Sequence, residues 1–83
     1  MGTMEVLERL SPILQRVFND DELVATLELT YLDIDDWSSL SQALMIAEIE
    51  KEFDVKFKLR EVATMNNVVT IVSLIESKLN QKD

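Results

Sequence analysis

Between residues 19 and 37 the chain has no helical period, yet it carries Leu23, Val24, Leu27, Leu29, Tyr31, Leu32, Ile34 and Trp37. A loop this apolar does not float free. It is expected to lie across packed helices and complete their core. Loops of this length inside a compact chain are usually functional as well. The flanking segments must therefore supply the helices for the loop to cover.

They do so as apolar stripes. Val6, Leu7, Leu10, Ile13, Leu14, Val17 and Phe18 recur at spacings of a helix face. Pro12 interrupts this stripe. Either Ser11-Pro12 caps a fresh helix, with Pro at its first position, or one helix kinks there. Asn19-Asp20-Asp21 ends the segment. A second helix is predicted from about Ser39 to Phe53, capped by Ser38 or Ser39. Val55 to Leu59 alternates and reads as extended, and Leu59 to Met65 reads as a short helix. The last helix should begin at Asn66-Asn67 and bury Val68, Ile71, Val72, Ile75 and Leu79. Its β-branched run favours a strand on propensity, but the helical spacing decides for a helix. The expected fold is all-α: a four-helix bundle, three helices long and one short, with a long first loop. Its core is Leu10, Leu14, Val17, Met45, Ile49, Phe53, Val68, Ile71, Val72 and Ile75.

Composition narrows the function. Eighty-three residues, 47% of them hydrophobic, are expected to form one small domain over 1–83 and exclude a disordered chain. There is no Cys and no His, hence no disulfide, thiolate metal site, thiol nucleophile or imidazole base. Absent cysteine fits a cytoplasmic protein. Residues 1–50 hold eleven acids against two bases, a balance of −9, while residues 51–83 hold five acids against six bases. Such a surface repels nucleic acid and anionic lipid and is suited to basic protein partners. No apolar run spans a bilayer. Met1-Gly2 matches a myristoylation start, but Val6 stands where Ser or Thr is required.

The second helix has two apolar faces. On a wheel, Met45, Ile46, Ile49 and Phe53 form a core stripe, while Leu40, Ala43, Leu44 and Ala47 lie opposite, with Lys51 extending that side and Glu48 and Glu50 flanking it. Either the helix is central and packed on both sides, or the second strip meets a partner.

Trp37-Ser38-Ser39-Leu40 sits where an acidic stretch, Asp33, Asp35 and Asp36, runs into this helix. A serine there lies at the positive end of the helix dipole, a good place to hold a phosphodiester. The plain alternative is that both serines are caps and the aspartates a solvated loop. The aspartates lack the glycine and spacing of a calcium loop. No metal and no catalytic residue is expected.

These residues resemble the acyl carrier protein family. Ser38-Ser39-Leu40 stands where the family has Asp-Ser-Leu. The run from Ala43 to Phe57 is similar to its apolar–acidic second helix, and Met65-Asn66-Asn67-Val68 to its last loop and helix. Leu32-Asp33-Ile34-Asp35-Asp36-Trp37 resembles a Trp-bearing variant of the loop before the serine. The resemblance covers nearly the whole chain and implies a carrier rather than an enzyme. It implies 4'-phosphopantetheine attached to Ser39 by a phosphopantetheinyl transferase, with acyl cargo held on the arm's thiol. It also implies a monomer that docks, through Asp36, Leu40, Ala43, Leu44, Ala47, Glu48, Glu50 and Lys51, on basic patches of acyl-loading and acyl-processing enzymes. Ser38 replaces the family's Asp, and Leu44 and Lys51 stand where fatty-acid carriers show Glu. Those departures point to a specialised carrier with its own enzyme set, in fatty-acid, polyketide or related biosynthesis. An aminoacyl or peptidyl carrier shares the same attachment chemistry. A non-carrier adaptor of the same fold would use only the apolar strip.

Overall fold

In the computed structural model, which describes residues 2–81, four helices follow one another: α1 (Thr3–Phe18), α2 (Ser39–Phe53), α3 (Leu59–Val62) and α4 (Val68–Asn80). The first loop contains a 3-10 turn at Tyr31–Asp33. No strand occurs among the described residues. This is the expected all-α bundle of three long helices and a short one.

The core draws on Val6, Leu10, Ile13, Leu14 and Phe18 of α1, Met45, Ile46, Ile49 and Phe53 of α2, and Val68, Ile71, Val72 and Ile75 of α4. Met65, Val55 and Ala25 add side chains from the connections. Each large aliphatic side chain fully withdrawn from water contributes roughly 1.5–3 kcal/mol. Val17, expected in the core, is only partly buried and packs on its edge.

α1 runs unbroken through Pro12, so neither a fresh start nor a second cap occurs there. Proline removes one N–H, and its ring is exposed where no packing resists it. Ser11 does other work. Its hydroxyl donates to Leu7 O at 3.1 Å and accepts the Ala25 N–H at 2.9 Å. One turn on, Gln15 Nε2 donates to Leu23 O at 2.8 Å. Two polar side chains of α1 thus hold the backbone of the long loop. α1 and α2 both end on a left-handed residue that is not glycine, Asn19 (φ 53°) and Asp54 (φ 55°), residue types that tolerate this region.

The loop crosses the helices as expected, but only half of its apolar residues anchor it. Leu23, Leu29, Ile34 and Trp37 pack on the core. Val24, Leu27, Tyr31 and Leu32 face solvent. The division follows from backbone tethers. Tyr31 N–H donates to Asn66 O at 3.0 Å and Val68 N–H donates to Leu29 O at 2.9 Å, which fixes the register around Thr30, with Leu29 inward and Tyr31 and Leu32 outward. Between α2 and α3 the expected alternation holds for buried Val55, exposed Lys56, half-buried Phe57 and exposed Lys58, then stops. Leu59 opens α3 and is 87% exposed. α3 itself is shorter than the predicted 59–65, ending at Val62.

Candidate functional site

Three serines lie within four residues at the start of α2, and the fold treats them differently. Ser38 is the cap, with extended backbone, and its Oγ accepts the Ser41 N–H at 3.3 Å. Ser41 Oγ accepts the Ser38 N–H in return at 2.7 Å. The Ser41 hydroxyl proton points to Asp36 O at 2.7 Å and Ser38 O at 3.1 Å. Ser41 is 8% exposed, so this reciprocal cap is largely shielded from water. Ser39, the first helical residue, is exposed, and its hydroxyl has no hydrogen-bond partner among the described residues. The first intrahelical bond runs from Gln42 N–H to Ser38 O at 2.9 Å, which leaves the N–H groups of Ser39 and Leu40 without a carbonyl in their own helix. One accessible hydroxyl therefore stands at the positive helix end beside unconsumed amides.

An open groove of about 620 Å³ adjoins Ser39. Tyr31 and Trp37 of the loop, the cap Ser38, Ser39, Gln42 and Ala43 of α2, Leu59, Val62 and Ala63 around α3, and Asn66 line it. Trp37 is held from two sides. Its ring lies 5.3 Å from that of buried Phe18, tilted by 38°, and its Nε1–H donates to Gln42 Oε1 at 2.8 Å. Gln42 Nε2 in turn donates to Val62 O at 2.7 Å. One carboxamide thus joins the loop, α2 and α3 beside the groove.

α3 is secured by polar contacts. Glu61 accepts the Lys58 N–H at 2.7 Å and meets Lys78 Nζ of α4 at 2.9 Å. The Lys58 amide, then the Lys78 ammonium, hold the Glu61 carboxyl below its ordinary range.

The residues expected to face a partner divide into groups. Leu40 is 72% and Leu44 51% exposed, and Ala43 and Ala47 are exposed beside them. The alternative in which α2 is packed on both sides is therefore wrong, because no other element among the described residues covers this strip. Asp36 and Lys51 are also exposed. Glu48 is paired with Arg16 of α1 at 2.7 Å, a bond that also strengthens the guanidinium's hold on its proton. Glu50 accepts the Phe57 N–H at 2.8 Å and is half-buried on the α3 side. These two carboxylates brace the fold, and the exposed strip runs between them.

Gln42 and the α3 wall were missed in the sequence reading. A signal for Gln42 existed: it precedes Met45, Ile46 and Ile49 by three, four and seven residues, a polar side chain at the head of the core stripe. No group of acids able to hold a metal ion occurs among the described residues. No helix among them is long and apolar enough to cross a membrane.

No family model and no curated protein matches the chain. Among solved structures, it is similar to the solution NMR structure of a holo acyl carrier protein from Geobacter metallireducens. The TM-score is 0.85 and the identity 39%, over 95% of this chain and 91% of that one.

Proposed function

This chain belongs to the acyl carrier protein family, and on that premise we propose that Ser39 carries a 4'-phosphopantetheine arm on which acyl groups travel between enzymes. It is a carrier protein, not an enzyme. The observation that supports Ser39 is the fate of the three hydroxyls: those of Ser38 and Ser41 are engaged in the reciprocal cap, and that of Ser39 is not. The residues fit the group. Ser39 Oγ is accessible for esterification, and the adjacent N–H groups and helix dipole favour a phosphodiester at that atom. The group supplies, when bound, the thiol that a chain without cysteine lacks.

The chain's own residues supply presentation. Ser38 and Ser41 cap each other at the helix start, beside the root of the arm. Leu40, Ala43, Leu44 and Ala47 form an exposed apolar strip running down α2 from that root. Exposed Asp36, with the −9 balance of residues 1–50, adds a negative surface. The partners that suit this surface are a phosphopantetheinyl transferase and acyl-loading and acyl-processing enzymes with basic patches. Their association is fast, weak and salt-sensitive. A monomer in the cytoplasm suits this shuttle. Lys51 and Leu44 make the strip less acidic than that of the fatty-acid carriers, which fits a dedicated enzyme set.

Intact-mass spectrometry after incubation with coenzyme A and a broad-specificity transferase tests the assignment. The wild type and Ser38→Ala gain one phosphopantetheine, and Ser39→Ala gains none. Modification of Ser39→Ala, or an unmodified wild type with every transferase tried, removes the attachment site from this residue.

A further inference from the structure

A second open groove, of about 420 Å³, lies where residues 24–28 run beside the first half of α1. It shares no lining residue with the groove at Ser39, and none with the Leu40–Leu44 strip of α2. Its apolar lining includes Met4 and Leu7 of α1 and Val24 and Leu27 of the loop. Met4, Val24 and Leu27 are exposed. The loop cannot turn its two side chains inward. Ser11 Oγ accepts the Ala25 N–H at 2.9 Å and Gln15 Nε2 donates to Leu23 O at 2.8 Å, so the backbone on both sides of Val24 is tied to α1. Ala25 takes the buried place between them. The Leu29 N–H closes a turn onto Thr26 O at 3.2 Å, which holds Leu27 within it. Apolar side chains gathered and held outward in this way mark an interaction surface. A surface already fixed loses little freedom when it is covered.

Glu8 and Glu28 line the same groove, and both are exposed. Neither has an ion pair or a hydrogen bond among the described residues. The two bases of residues 1–50 are committed elsewhere. Arg9 meets Glu5 at 3.6 Å and Glu52 at 3.9 Å, and Arg16 meets Glu48 at 2.7 Å. The groove therefore joins an apolar lining to two carboxylates and has no cation of its own. We propose that it docks a segment of a partner protein that presents large apolar side chains with Lys or Arg beside them, and that this docking leaves the Ser39 groove uncovered. Charge chooses this occupant. A second copy of the chain would bring a net charge of −8 to the same carboxylates. Anionic lipid would meet them with negative headgroups. A cationic amphipathic segment covers the apolar lining and pairs both carboxylates. The proposal stands without an arm on Ser39, so a failed attachment reading leaves it intact.

The test titrates the full chain with a helical peptide that bears a leucine stripe flanked by lysines. Two control peptides each keep one half of that chemistry, with glutamates in place of the lysines or serines in place of the leucines. The leucine–lysine peptide shifts the methyl resonances of Met4, Val24 and Leu27, and each control binds at least about tenfold more weakly. The Ser39 amide and the Trp37 indole N–H stay in place. The Leu40 and Leu44 methyls move only at higher peptide concentration, because Glu48 and Glu50 beside them are already engaged and Lys51 repels the peptide. Val24→Ser with Leu27→Ser weakens binding about tenfold. Glu8→Gln with Glu28→Gln weakens it about fivefold and flattens its salt dependence. All four side chains are exposed, so thermal melting of these variants matches wild type, and the control peptides test the proposal on wild type alone. Equal binding of the glutamate peptide overturns the proposal. So do methyl shifts that begin at Leu40 and Leu44, or groove variants that bind like wild type. A dimer that forms without peptide and is lost in Leu27→Ser gives the groove to a second copy and overturns it as well.

Discussion

Two helix starts in this protein use the same cap and serve opposite ends. At α4, Asn67 Oδ1 accepts the Thr70 N–H at 2.8 Å; at α2, Ser38 Oγ accepts the Ser41 N–H at 3.3 Å. The residue after the cap then differs. Val68 is fully buried and its N–H is taken by Leu29 O at 2.9 Å. Ser39 is exposed, and no carbonyl of its own helix reaches its N–H. A positive helix end is therefore not a site merely by being one. At α4 the long loop has occupied the position, and at α2 no carbonyl of that loop takes the Ser39 N–H among the described residues.

The largest expected effect separates these positions outright. Ser39→Ala abolishes arm attachment while leaving stability within about 0.5 kcal/mol, as for a surface change. Val68→Ser destabilises by roughly 2–3 kcal/mol, because it trades buried hydrocarbon for a hydroxyl without an assured partner. Chemical denaturation alongside mass spectrometry reads both, and equal stability losses at the two sites would erase the contrast.

Core truncations in α1 and α2 should match each other. Leu14→Ala and Ile49→Ala each cost about 2–5 kcal/mol, a large share of the stability of so small a chain. Unchanged melting in either would mean that its helix face is misassigned.

The caps come next. Asn67→Ala and Ser38→Ala each lose about 1 kcal/mol. Ser41→Ala loses more than Ser38→Ala, since the Ser41 hydroxyl is shielded and contacts both Asp36 O and Ser38 O. The reverse order would show that the cap is carried by Ser38 alone.

The smallest effect is a pH response of the groove wall. The Glu61 carboxyl lies below its ordinary 4.5 in the folded protein. A depressed carboxyl adds stability above the unfolded pKa and loses it as pH falls through the folded value. α3 should therefore loosen at acid pH, seen as backbone shifts in Leu59–Val62 that Glu61→Gln removes. The start of α2, capped by hydroxyls that do not titrate there, should hold over the same range. Docking gives a parallel measurement: affinity for a partner enzyme falls as salt rises through the physiological range, unless the apolar strip is the sole contact.

What could be read from the chain were features with short reach. Helical stripes depend on residues three and four apart, and caps on residues three apart. Leu10 to Leu14, Met45 to Phe53 and Val68 to Ile75 therefore announced their helices, and Asn67 and the Ser38–Ser39 pair their starts. The apolar content of residues 19–37 likewise required a loop laid on the core. Which of its side chains would go inward was not legible, since Leu29 and Tyr31 are placed by bonds to Val68 and Asn66 far along the chain. Which serine kept its hydroxyl depended on Ser41 turning back to Asp36 and Ser38. Gln42 stood out only as a polar residue on an apolar stripe. Its role came from Val62, twenty residues away, and from a tryptophan that the core holds still. Periodicity and capping are local interactions that a segment carries with it, whereas loop register, a spare hydroxyl and a groove lined by three segments exist only once distant segments have packed.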